Sequence, residues 1–168
     1  ASTITFINQD EMAIIAGFEK FKRIGKPGIQ LLSRPCLVPH EKIVGRLSTR
    51  MQMVSLNDST KTKDDAFVDY EATIIFEMIN ADDSAVYAAF YSLENADIKL
   101  WLTSCVKSIL RAAISKLLLD EVFLSHNNLQ STIIDSIVKG DMSVGRHPLE
   151  HYGYRIQSAL LTDCRPTK

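Results

Sequence analysis

Long apolar runs, paired cysteine motifs and an excess of one charge are all missing from this chain. None of its 168 residues falls in a stretch approaching the roughly 18 consecutive apolar residues of a membrane-crossing helix, and no signal peptide opens it. The three cysteines, Cys36, Cys105 and Cys164, are odd in number and lack C-x-x-C spacing. We therefore expect reduced thiols in an intracellular compartment, and contact with any membrane from one side only.

Catalytic fingerprints are equally scarce. The 19 basic residues nearly balance the 20 acidic ones, for a formal charge of −1, so no global field favours nucleic acid or an acidic substrate. The sequence contains no G-x-S-x-G elbow, no P-loop and no dinucleotide fingerprint. We interpret the protein as a non-enzyme, with no cofactor, no small-molecule substrate and no nucleic-acid partner.

One catalytic motif is present in its letters, since residues 147–151 read His-Pro-Leu-Glu-His and match the H-x-x-E-H zinc signature. Zinc binding needs both imidazoles one turn apart on a helix, and Pro148 together with the strand pattern that follows leaves at most one helical turn. We therefore predict no metal site, and metal-dependent hydrolysis through His147 and His151 is only a remote alternative.

Alternating patterns predict that the first half of the chain is made of strands. The predicted strands cover residues 12–18, 21–24, 29–32, 46–56 and 67–79, with a Gly-Lys-Pro-Gly turn at 25–28. The pattern at 67–79 is the strongest, because its even positions from Val68 to Met78 are apolar. A last strand is expected near the end, with Tyr152, Tyr154, Ile156, Ser158 and Leu160 on one face.

Helical spacing appears between these strands. A helix capped by residue 82, 83 or 84 is expected first, and the best helix carries Ile98, Leu102, Cys105 and Ile109 on one apolar stripe, where Cys105 is expected to be an inert buried thiol. A further helix at 128–139 ends at Gly140, and Asp120 and Glu121 are interpreted as a first-turn charge pair rather than catalytic acids. We also expect Phe76 and Trp101 to be buried.

These elements predict an α+β fold, a curved antiparallel-rich sheet with helices packed on one side. The expected organisation is one domain over residues 1–168, with a subdivision into about 1–56 and 57–168 as the alternative.

An apolar segment broken by Pro35 and Pro39 is the candidate membrane contact. The prolines exclude a continuous helix or a central strand, and an apolar loop beside cations fits the head-group region of an anionic bilayer. The alternative is that it covers a sheet edge. The candidate contact residues are Lys26, Leu31, Leu32, Arg34, Leu37 and Val38. The neighbouring basic cluster of Lys20, Lys22, Arg23 and Lys26 is interpreted as a solvated hairpin face, with an anionic membrane surface as the alternative.

Four short motifs in order resemble the SPFH superfamily of stomatin, prohibitin and flotillin relatives. They are Lys-Pro-Gly at 26–28, Thr-Lys-Thr-Lys-Asp at 60–64, Leu-Asp-Glu-Val-Phe at 119–123 and Tyr-Gly-Tyr at 152–154. The chain is most similar to hypersensitive-induced-reaction-type members, with a vacuolin-like branch as the alternative. It departs from the pattern at Asp65, where the family usually has asparagine.

The resemblance implies a non-catalytic peripheral membrane scaffold that forms homo-oligomers and organises membrane microdomains. Its expected partners are a second copy of itself and lipids of the cytoplasmic leaflet, at the plasma membrane or at an endosome or vacuole. The resemblance also implies that an oligomerising coiled coil follows this domain, so we expect the present chain to stop before it. A soluble protein–protein adaptor domain is the alternative function.

Overall fold

A computed structural model of the chain describes residues 2–18, 20–33, 41–79, 82–93 and 97–167. It confirms an α+β fold in which antiparallel strands combine with helices. The strands are β1 (Ser2–Ile7), β2 (Glu11–Gly17), β3 (Lys20–Gly25), β4 (Gly28–Ser33), β5 (Lys42–Ser48), β6 (Gln52–Lys61), β7 (Phe67–Met78) and β8 (Tyr154–Pro166). The helices are α1 (Asp83–Tyr91), α2 (Ile98–Ile114), α3 (Leu119–Leu124) and α4 (His126–Lys139), and short 3-10 turns cover Met142–Val144 and Leu149–Tyr152.

The chain divides into two compact units, each assembled from three segments. The first unit contains Ala1–Arg50, Met78–Asp97 and His151–Tyr154, and the second contains Met51–Glu77, Ile98–Glu150 and Arg155–Lys168. The strands form a two-stranded ribbon β1-β4 and two three-stranded sheets, β3-β2-β5 and β6-β7-β8. The predicted subdivision into 1–56 and 57–168 stays a prediction, because compactness alone does not show which part of a chain folds independently.

Strand β2 is the centre of the first unit and is buried on both faces. Residues 13–16 are all at most 2% exposed. A Cβ placed on Gly25 would lie 2.6 Å from Ile7 Cδ1 and 3.2 Å from Ile15 Cδ1, so β1 of the ribbon packs closely against this face. On the other face, a Cβ on Gly45 would meet the ring of Phe90 from α1. Two glycines thus let a ribbon and a helix approach one sheet closely.

The second unit places helices against the sheet β6-β7-β8. The even positions of β7 from Val68 to Phe76 are at most 2% exposed, which confirms the predicted buried face. Helix α2 packs against β6 and α4 packs against α2. Their buried residues include the predicted stripe of Ile98, Leu102, Cys105 and Ile109 on α2, and Leu129, Ile133 and Ile137 on α4.

Both predicted helix ends are confirmed. The Asp82 side chain accepts a hydrogen bond from Ala85 N at 2.8 Å and caps α1. Gly140 is the C-cap residue of α4 at φ 66° and ψ −176°, a conformation that is essentially restricted to glycine. Asp120 and Glu121 lie in the first turn of α3, as expected.

Three local predictions are wrong. The single strand predicted at 46–56 is two strands in different sheets, because the chain bends after Ser48 and Thr49 N donates to Asp10 O at 2.8 Å. Leu160 is 46% exposed while its neighbours Ala159 and Leu161 are buried, so the inward parity of β8 changes after Ser158. Trp101 is only half-buried, since it lies at the edge of the α2 stripe, whereas Phe76 is fully buried as predicted.

Candidate functional site

Four apolar side chains form an exposed face on the ribbon β1-β4. The antiparallel register pairs Ile4 with Leu31 and Phe6 with Ile29. These residues are 61%, 60%, 67% and 63% exposed, respectively. Residues two apart in a strand share a face, and directly opposite residues have Cβ atoms about 5 Å apart. The four side chains therefore make one contiguous apolar surface, which we call the ribbon face.

The other side of the ribbon belongs to the core of the first unit. Ile7 is 3% exposed and Leu32 is 6% exposed, while Thr5 and Gln30 are half-buried. Leu32 was predicted as a membrane-contact residue together with Leu31, but neighbouring strand residues point to opposite faces. Leu31 thus lies on the exposed surface, and Leu32 packs inside and does not belong to that surface.

Two arginines hold the ribbon in place through its backbone. Arg23 of β3 donates from Nη2 to the carbonyl of Leu31 at 2.7 Å, and the same nitrogen is 3.3 Å from Glu41 Oε2. Arg46 of β5 donates from Nη1 to the carbonyl of Phe6 at 3.4 Å and pairs with Glu11 at 3.1 Å. The carbonyls that accept these bonds belong to residues whose side chains point outward.

The predicted cations divide into two groups. Lys20, Lys22 and Lys26 are exposed, whereas Arg23 is committed to Gln30, Glu41 and the backbone of Leu31. Lys26 lies in the turn before β4, and its carbonyl accepts from Gln30 Nε2 at 3.1 Å. The remaining predicted contact residues, Arg34, Leu37 and Val38, lie outside the described residues.

Sequence reasoning missed three members of the ribbon face. Ile4, Phe6 and Ile29 were not predicted as contact residues, although Thr-Ile-Thr-Phe at 3–6 alternates polar and apolar residues. That alternation is the signal of a strand with one apolar face. It could have identified β1, but pairing with β4 is needed to show that the apolar face is exposed rather than buried.

Two of the four short motifs, at 60–64 and 119–123, lie close together in the second unit, where they stabilise the fold. Lys63 N donates to the carbonyl of Leu117 at 2.9 Å, which fastens the loop at 60–64 to the chain entering α3. The Thr62 hydroxyl donates to Asp64 Oδ1 at 2.5 Å, and this bond is the main reason why the pKa of Asp64 is below its ordinary value. A hydrogen bond from the Leu119 backbone also lowers the pKa, so Asp64 helps to cap α3.

The described residues do not show the side-chain arrangements that the catalytic alternatives require. Leu149–Tyr152 is a single 3-10 turn and His147 precedes it, so the motif at 147–151 is not carried on one α-helix. Among the described residues, no group of three or more His, Cys, Asp or Glu side chains is arranged to hold a metal ion. Burial raises the pKa of the Cys105 thiol to about 11, so this group is protonated at neutral pH.

No helix within the described ranges combines the length and the hydropathy that a bilayer-crossing segment requires. The model of the SPFH domain / Band 7 family matches residues 5–168. The chain is also similar to hypersensitive-induced response protein 4 of Arabidopsis thaliana, with 26% identity over 162 residues that cover 95% of this chain. The chain spans about half the length of that relative, 49%.

Proposed function

Because the chain belongs to the SPFH domain / Band 7 family, we propose that it is a scaffold module that contacts the cytoplasmic leaflet of a membrane through the ribbon face. Proteins of this family are membrane-associated and are generally non-catalytic scaffolds. The observation that carries the proposal is the exposure of two adjacent cross-strand apolar pairs, Ile4 with Leu31 and Phe6 with Ile29.

The hydrophobic gain supports a peripheral, reversible contact. Fully burying one side chain of this size contributes about 1.5–3 kcal/mol, and each of the four is roughly 60% exposed. Transfer of the whole ribbon face into the interfacial region of a bilayer is therefore worth roughly 4–7 kcal/mol before the costs of binding. That is enough for weak association of one copy, and several linked copies would bind much more tightly.

Exposed lysines in the same unit as the ribbon face favour an anionic leaflet. Lys20, Lys22 and Lys26 belong to the same unit and are exposed. A lysine close to a membrane that contains acidic lipids contributes about 1 kcal/mol, and this contribution is screened by salt. We therefore expect binding that rises with the fraction of acidic lipid and falls with ionic strength.

Self-association is the second part of the proposal. We propose that this domain is followed, in a longer natural protein, by a helical region that joins many copies. The ribbon faces of those copies would then act together and organise a membrane microdomain. Light scattering on this chain and on the longer natural protein tests that part. Large, defined assemblies only in the longer protein support it, and monomers in both contradict it.

Flotation with vesicles tests the membrane contact. The chain is mixed with vesicles of phosphatidylcholine, with or without phosphatidylserine, and the bound fraction is compared between wild type and Leu31→Asp. The substitution puts a charge on the ribbon face without touching the core, so binding is expected to fall by about tenfold or more. A Phe6→Ser variant is expected to weaken binding in the same direction.

Leu124→Asp is the matched control, because Leu124 is 87% exposed and lies on α3 in the second unit. It makes the same chemical change outside the ribbon face and is expected to leave flotation unchanged. Equal binding of wild type and Leu31→Asp would refute the ribbon face as the contact. Absence of vesicle binding by the wild-type chain would instead favour a soluble protein–protein adaptor.

A further inference from the structure

A cationic groove in the second unit has no part in the function proposed above. It lies between α2, α4 and the segment that follows α4, with a volume of about 310 Å³. Its lining includes Ser108, Ala112, Lys116, Thr132, Ser136 and Arg146. This volume is at the lower end of the range for small-ligand sites, so the groove suits a compact polar group.

The backbone after α4 positions Arg146 in this groove. Asp141 N donates to Arg146 O at 2.7 Å and Arg146 N donates to Asp141 O at 2.8 Å, which closes a tight loop over residues 141–146. Gly140 makes the loop possible, because a Cβ at this position would lie 2.7 Å from Arg146 O. The position of Arg146 is thus fixed by backbone hydrogen bonds.

The guanidinium of Arg146 is incompletely satisfied. Its side chain donates toward the thiol of Cys105, but its Nε atom is buried and has no hydrogen-bond partner among the described residues. An arginine side chain offers five N–H donors in a planar fork, and a buried donor without an acceptor is unfavourable. Because Nε itself is enclosed, an oxyanion in the groove would be bound by the N–H groups at the tip of the guanidinium.

The charge balance of the groove also favours an anion. Lys116 and Arg146 contribute two positive charges, and Asp141 is the acidic residue of the lining. Asp141 Oδ1 already accepts bonds from the backbone N and the hydroxyl of Ser143. A second, open depression continues along α2 past Ser108 and Ala112 and adds Lys107 and Arg111, of which Arg111 is 3.5 Å from Asp58.

We propose that this groove binds a phosphorylated ligand, with Lys116 and Arg146 contacting the phosphate oxygens and the hydroxyls of Ser108 and Ser136 donating to them. Guanidinium groups and phosphates match in geometry, and charge-assisted hydrogen bonds to phosphate are stronger than neutral ones. The phosphate is carried either by a soluble metabolite or by a lipid head group.

Calorimetric titration with pyrophosphate tests the site. Lys116→Gln removes an exposed cation that follows α2, and Arg146→Gln removes the guanidinium of a half-buried arginine. Each variant is expected to bind pyrophosphate about tenfold more weakly than wild type. Circular dichroism checks the fold of Arg146→Gln; because Lys116 is exposed, Lys116→Gln tests the groove even if the arginine variant is unfolded.

Lys139→Gln is the matched control, since Lys139 is an exposed lysine at the end of α4 and does not line the groove. It is expected to bind pyrophosphate like wild type. Equal weakening by Lys116→Gln and Lys139→Gln would mean general charge attraction and would overturn the proposal. No binding of pyrophosphate, inositol trisphosphate or bisphosphate-lipid vesicles by the wild-type chain would also overturn it.

The source of the phosphate is distinguished by two further titrations. Tight binding of inositol trisphosphate in solution, without added binding to vesicles that carry phosphatidylinositol bisphosphate, supports a soluble metabolite. Vesicle binding that requires both this lipid and Lys116 supports a head group. Leu31→Asp is expected to bind pyrophosphate with the same affinity as wild type. The proposals for the groove and for the ribbon face are therefore tested independently.

Discussion

Gly45 is the position where adding one methyl group gives the sharpest test of the structure. Alanine is ordinarily better than glycine within a strand, by about 0.5–1 kcal/mol, because it restricts the unfolded chain. In β5, however, a Cβ on Gly45 would lie 2.1 Å from Cε2 and 2.6 Å from Cζ of Phe90. The ring of Phe90 must move, and such overpacking costs about 1–3 kcal/mol. We therefore expect Gly45→Ala to lower the free energy of unfolding by about 1–2 kcal/mol.

Urea denaturation followed by far-UV circular dichroism measures this change. The midpoint should fall while the slope stays constant, since the native and unfolded surfaces are nearly unchanged. The thermal midpoint should fall by about 2–4 °C for each kcal/mol. Gly17→Ala is the control, because the nearest atom to its new Cβ, at 3.2 Å, is Cε of the flexible Lys22 side chain.

A second substitution identifies the cause. Leucine lacks the Cε2 and Cζ atoms of phenylalanine, so Phe90→Leu should make Gly45→Ala much less harmful than it is in the wild-type background. The coupling between the two sites is the result that reports direct contact. A Gly45→Ala protein that is as stable as wild type would refute the close approach of α1 to β5.

Two other substitutions test the second unit. Gly140→Ala is expected to lower the free energy of unfolding, measured in urea, by about 3 kcal/mol or more, because the backbone conformation excludes a side chain and a Cβ would lie 2.6 Å from Pro148 N. Gly145→Ala is the control, since Gly145 has φ 73° but open space around it, and it should cost only about 1 kcal/mol. For Asp64, the pKa is lowered in the folded state, so its stabilising effect is complete above the ordinary value of 3.8 and is lost as the pH falls through the lower folded pKa. Asp64→Asn should therefore flatten the dependence of the urea midpoint on pH below about 4, and an unchanged acid limb would contradict the capping role of Asp64.

Patterns that lie within one element predicted the fold well. The even positions of β7 and the stripe on α2 each meet a single buried surface, so period two and period 3.6 were visible in the sequence. Strand β8 does not follow a single period-two pattern, because the buried positions change from even to odd numbers after Ser158. The break between β5 and β6 was missed because Leu47, Met51 and Met53 share one parity across it, as they would in a continuous strand.

The candidate sites depend on contacts that no local pattern records. Leu31 was predicted as a contact residue, but only the register of β1 with β4 shows that Ile4 lies opposite it on an exposed face. Likewise, Lys116 and Arg146 carry no shared motif, and the packing of α4 on α2 brings them to one groove. The thiol of Cys105 was expected to be inert, and its burial and raised pKa agree with that expectation.

Each of the two units combines segments that are far apart in the sequence, and this affects when a unit can be completed during synthesis on the ribosome. The first unit includes residues 151–154, and Ile79 N donates to the carbonyl of Gly153 at 3.0 Å. The N-terminal strands therefore emerge long before the last segment that completes their unit. We therefore expect the first unit to be completed only after residues 151–154 have been synthesised, and not by folding of one unit after another from the N-terminus. Nascent chains stopped before residue 151 should accordingly be more sensitive to protease in β1 to β5 than released chains.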